Sequence, residues 1–111
     1  MDSRAIDRLV AEKVMGWVQG EYAKDKWYYK KNEQIQGMAK FINDWNPSTN
    51  IADAWQVVEK FEIVEINRIM DGYSCEITLF DPFRIRRGEA KTAPLAICLA
   101  ALKAVGVDVE V

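Results

Sequence analysis

The sequence predicts an α+β domain in which a small antiparallel sheet is sandwiched by helices, in the order α-β-β-α-β-β-α. Two observations carry this. Apolar residues recur at helical spacing in three separate stretches, 6–18, 51–61 and 95–102. Between them lie two pairs of strand-like runs, one broken at Asn32-Glu33 and the other at Asp71-Gly72. A chain of 111 residues, half of them hydrophobic and 29% charged, fits one compact domain over 1–111. It is long enough to bury roughly 65% of its extended-chain surface.

The first helix spans 3–19, capped by Asp2 or Ser3 and ended by Gly20. Ile6, Leu9, Val10, Val14, Trp17 and Val18 form its apolar side, and Arg4, Arg8, Glu12 and Lys13 the other. Residues 24–31 and 34–41 read as a hairpin, because Trp27, Tyr28 and Tyr29 favour a strand and Asn32 a turn. Helix two runs over 51–60 behind the Asn46-Pro47 turn. Asn50 is its cap and Asp53 completes a weak capping box, with Ile51, Trp55, Val58 and Phe61 as the buried stripe.

Residues 61–70 and 73–80 make the second hairpin around Asp71-Gly72. Tyr73, Cys75, Ile77 and Leu79 alternate with Ser74, Glu76 and Thr78. The partner strand alternates poorly, as a strand covered on both faces would. Residues 81–91 read as a basic loop holding Arg84, Arg86, Arg87 and Lys91 against Glu89. Helix three covers 93–105, stops at Gly106 and is apolar nearly all round, so it must be buried on more than one side. The tail 107–111 alternates like an edge strand.

Composition removes several chemistries. With no histidine, Ser-His, Cys-His and His-metal sites are all absent. Cys75 and Cys98 sit alone in apolar settings and read as packed core residues, so no metal or other cofactor is expected. No carboxylate pair stands out as an acid–base dyad, and the chain is not expected to be an enzyme. A net charge of −2 and a pI near 5.2 disfavour nucleic-acid binding, which needs a basic field. The start of the chain lacks a signal-peptide shape, and no apolar run is long enough to span a bilayer, so a cytoplasmic protein is expected.

Three groups of residues are candidates for binding. Ser48, Thr49 and Asn50 lie at the start of helix two, between Trp45 and Trp55. Their amides and hydroxyls suit a polar aromatic ligand, although a capped helix with a core Trp55 is the plainer reading. Arg84, Arg86 and Arg87 precede helix three, whose first turn has no acidic residue and whose cap is Thr92. That helix end is open to an anion, and a solvated loop is the equal alternative. Lysines flank Trp27, Tyr28 and Tyr29 in a pattern that could stack single-stranded nucleic acid, but a protected edge strand accounts for it better.

The segments Asn46-Pro47-Ser48-Thr49-Asn50-Ile51-Ala52-Asp53-Ala54-Trp55 and Thr92-Ala93-Pro94-Leu95-Ala96 resemble the small phage and prophage α/β/α-sandwich (ABA sandwich) proteins. More loosely, they resemble the NinX-like proteins of lambdoid phages. The resemblance covers roughly the whole chain and implies a phage accessory protein without specifying a reaction. Two functions are expected from it. One is non-catalytic sequestration of a small anionic, nucleotide-derived host signal, with Tyr73 or Trp45 stacking on the base. The other is docking on a host or phage enzyme through exposed aromatics. An apolar helix three and an open tail edge also lead us to expect a homo-oligomer, most simply a two-fold dimer.

Overall fold

The computed structural model describes residues 2–20, 26–31, 34–41 and 44–109. The chain runs α1 (Ser3–Leu9), a π-helical turn (Val10–Val14), β1 (Trp17–Gln19), β2 (Lys26–Lys31), β3 (Gln34–Phe41) and α2 (Ile51–Val58). It continues with β4 (Ile63–Ile69), β5 (Gly72–Leu79), β6 (Arg84–Ala90) and α3 (Ala93–Ala104). The α+β class is as expected, but there are two three-stranded antiparallel sheets, ordered β1-β2-β3 and β4-β5-β6. The additional strands are β1, read from sequence as helix, and β6, read as loop.

Asp2 caps α1 by accepting the Ala5 N–H at 2.8 Å. The helix is shorter than expected because the chain widens into the π turn, where the Met15 N–H reaches back to the Val10 carbonyl. Gly16, at φ +73°, then reverses the chain, so the stop comes before Gly20. Trp17 and Val18 pass into β1, pairing with Tyr29 and Tyr28. The 24–31/34–41 hairpin is present as β2 and β3, while its turn at Asn32-Glu33 lies outside the described residues. Trp27 is buried and Tyr28 half-buried, while the side chain of Tyr29 lies outside the described residues.

Half of the expected stripe of α2 holds: Val58 and Phe61 pack against the core. Ala54 and Val57 are buried, whereas Ile51 and Trp55 are 52% and 50% exposed. Small Ala54 allows close approach to α3, and the bulky residues one helical position away are left at the surface. In the second sheet, β4 pairs with β5 from Ile63↔Thr78 to Ile69↔Gly72 around a Met70-Asp71 turn, one residue earlier than expected. Strand β4 is an edge strand with Ile63 44% exposed, not covered on both faces.

Helix α3 lies on β5 and β6 and also touches α2 and the π turn. Ala96 through Leu102 and Ala104 are all buried within the one chain. Its apolar surface therefore gives no reason for an oligomer. The helix ends in a Schellman arrangement, with the Val107 N–H on the Leu102 carbonyl at 2.8 Å and the Gly106 N–H on Lys103 at 3.0 Å. Val107 and Val109 then pack against the core, and residues 107–109 form no strand, while 110–111 of the expected edge strand lie outside the described residues.

Strand β6 and α3 meet at Gly88. A Cβ there would come within 2.5 Å of the Ala100 nitrogen and 2.6 Å of the Ala96 oxygen. Both are helix backbone and cannot swing aside. Gly88→Ala should therefore cost about 3 kcal/mol, the upper part of the overpacking range. Chemical denaturation measures this, and a loss below about 1 kcal/mol would mean that the helix rides further from the strand.

Candidate functional site

The alternation of β6 divides its residues between two faces. Arg84, Arg86, Gly88 and Ala90 pair with Leu79, Ile77, Cys75 and Tyr73 on the face toward α3. Ile85, Arg87 and Glu89 point to the other face. Because β6 is antiparallel to β5 and α3 returns from its end, Arg84 and Arg86 lie beside the C-terminal end of α3. With Lys103, Ala104, Val105, Gly106 and Asp108 they line an open cleft of about 560 Å³. A second cleft, of about 470 Å³, is lined by Arg87, Glu89, Leu99, Lys103 and Val109. Lys103 belongs to both, and its Nζ donates to the Arg87 carbonyl at 2.9 Å.

The three arginines differ in what holds them. Arg87 is paired with Glu76 at 3.3 Å and Glu89 at 2.7 Å. Arg84 donates to the Pro82 carbonyl at 3.0 Å and Arg86 to the Ile85 carbonyl at 3.2 Å. Neither makes an ion pair among the described residues. The first cleft thus gathers three cations, Arg84, Arg86 and Lys103, against Asp108. The α3 C-terminus adds roughly half a negative charge, too little to cancel the surplus.

The other expected binding residues lie elsewhere. Thr92 caps α3, accepting the Leu95 N–H at 3.5 Å. It is one helix length, about 18 Å, from the arginines. The open helix end and the arginine cluster, adjacent in sequence, are therefore at opposite ends of α3. Tyr73 stands four strand positions from the partner of Arg86, roughly 13 Å along β5. Its ring lies 6.0 Å beneath the Arg68 guanidinium. Trp45 is buried, its ring 4.5 Å from that of Trp17 and its Nε1 donating to Gln56 at 2.8 Å. It presents no face to a ligand.

Ser48, Thr49 and Asn50 prove to be a structural latch. Asn50 accepts the Asp53 N–H at 3.0 Å, and the Asp53 carboxylate accepts the Asn46 N–H at 2.8 Å. Thr49 turns its hydroxyl onto the Asn46 carbonyl. Buried Ser48 donates its N–H to Asp7 of α1 at 2.8 Å and its hydroxyl to the Ser3 carbonyl at 3.2 Å. The polar residues before α2 thus fasten α1 to α2, and none of them lines either arginine cleft.

Asp7 is 6% exposed, and burial raises its carboxyl above the ordinary 3.8 despite the Ser48 bonds and Arg4. A carboxyl raised in the folded state costs stability once it ionises, and the cost disappears below its unfolded value. Asp7→Asn keeps an oxygen for Ser48 and should melt higher than the parent at pH 7. That advantage should shrink as the pH falls and vanish below 3.8. Melting curves across this range test it, and an advantage that grows on acidification would contradict the sign. Burial also pushes Cys75 up to about 11 and Cys98 higher, so both thiols are protonated at neutral pH.

Sequence reasoning missed Lys103 and Asp108, which complete the first cleft. The available signal was β6 itself, since Arg84-Ile85-Arg86 alternates as a strand does. A lysine in the last turn of a helix could then have been placed beside it.

The α+β sandwich fold defines the class. The chain belongs to the phage ABA sandwich domain family, whose model matches residues 8–102. Its fold is similar to the crystal structure of a phage protein from Bacillus cereus. The two are 30% identical with a TM-score of 0.73, over 99% of this chain and 93% of the other. The likeness to NinX-like proteins is not shown by these matches. No curated protein sequence matches. No helix among the described residues is long and apolar enough to cross a membrane.

Proposed function

We propose that this phage protein binds a small phosphate-bearing, nucleotide-type host signal and sequesters it without turning it over. The observation that carries the reading is the Arg84–Arg86–Lys103 cleft, in which two guanidinium groups lack acidic partners among the described residues. Arginine offers planar, bidentate donors suited to phosphate. Among the described residues the same cleft holds one carboxylate, Asp108, without a second to act with it as an acid–base pair. Protein purified from cells that make the signal should release a phosphorylated small molecule on denaturation, identified by mass spectrometry in unmodified form. Recovery of a cleaved product in its place would contradict sequestration.

A second reading is docking on a host or phage enzyme. It is supported by exposed aromatics: Trp55 on α2, and Phe80 and Phe83 at the β5–β6 turn, 48% and 68% exposed with rings 6.0 Å apart. These apolar surfaces, not α3, are now the basis for proposing a homo-oligomer. Light scattering during size exclusion at micromolar concentrations reads the mass, and a single-chain mass throughout would remove that part of the proposal.

A further inference from the structure

The two clefts share a wall and differ in chemistry. In the first, among the described residues, Arg84, Arg86 and Lys103 outnumber Asp108 by two charges. In the second, Lys103 and Arg87 face Glu89, and Arg87 is already held by Glu76 and Glu89. The remaining lining there is Leu99 and Val109. The tail alternates to match, placing Asp108 beside the cationic cleft and Val109 beside the more apolar one. Leu99 and Lys103 are four residues apart on α3, so the compartments are offset by about 6 Å. One pentose bridges such an offset.

We infer, building on the anion-binding reading above, that the ligand lies along the β6 edge in one direction. Its phosphates sit between Arg84, Arg86 and Lys103, and its planar ring enters the neighbouring cleft against Leu99 and Val109. The ligand class is a nucleotide recognised at both ends, and Val109 is a residue that sets preference for the ring. The reverse orientation places a ring among unpaired cations and phosphate beside Glu89, which costs at both ends.

Calorimetry with pyrophosphate and with ADP on the native protein tests this directly. We expect ADP to bind at least about tenfold more tightly, the gain from burying a ring's apolar surface. Val109→Ala should narrow that ratio about threefold or more, and Arg84→Ala should weaken both probes. If ADP and pyrophosphate bind equally, the second compartment is not a ring site, while the anion reading stands. If neither binds, both readings fail. Should Val109→Ala not fold, the comparison of ADP with ribose 5-phosphate on the native chain decides. Equal affinity for those two overturns the ring site.

Discussion

Trp45→Ala is expected to destabilise the domain by about 3–5 kcal/mol, the usual cost of truncating a buried aromatic. Trp45 is 1% exposed and lies against Trp17, joining the first sheet to the segment before α2. Its indole N–H holds Gln56, so truncation leaves both a cavity and an amide without its partner. For a domain of this size the melting temperature should fall by more than about 10 °C. Trp45 was a candidate for stacking on a ligand, and the two roles separate cleanly. A shift of under about 3 °C with lost ligand affinity would return Trp45 to the binding site.

The second large effect concerns binding. A charge-assisted hydrogen bond to phosphate is worth roughly 1.5–3 kcal/mol, or about ten- to a hundredfold in affinity. Replacing Arg84 and Arg86 together by Ala should therefore weaken a phosphate ligand by more than about a hundredfold. Among the described residues both side chains bond to carbonyls of their own turn or strand, so stability should change by no more than about 0.5 kcal/mol. Added salt should weaken binding to the native protein and have little effect on the double variant. Equal loss of stability and affinity would instead make these arginines part of the fold.

The elements with strong local signals were legible in the sequence. The Asn50 cap, the β4–β5 turn and the Thr92 and Gly106 limits of α3 all follow from side-chain chemistry within a few residues. What was not legible depends on packing between distant segments. Residues 10–19 have helical periodicity, but Gly16 and the partner strand β2 draw Trp17 and Val18 into a sheet. The arginines of β6 looked like a loop because Gly88 and charged residues interrupt an apolar pattern. Only the contact of Gly88 with α3 shows why a glycine belongs in that strand.

The candidate site was legible by half for the same reason. Arg84 and Arg86 were identified, but their surroundings were inferred from neighbours in sequence, and the antiparallel return of α3 carried Thr92 to the far end. The polar residues before α2 misled in the opposite direction. Ser48 and Asp7 are separated by the whole first sheet in sequence, so a latch between them had no local signature.

Calorimetric titration of the native protein with cyclic nucleotides and ADP-ribose derivatives at low salt, repeated on the Arg84→Ala/Arg86→Ala variant, tests the central claim most directly. The account predicts saturable binding of at least one phosphate-bearing compound, recovered chemically unchanged, and its loss in the variant. No binding by the native protein at roughly 100 micromolar ligand, or undiminished binding by the variant, would contradict it.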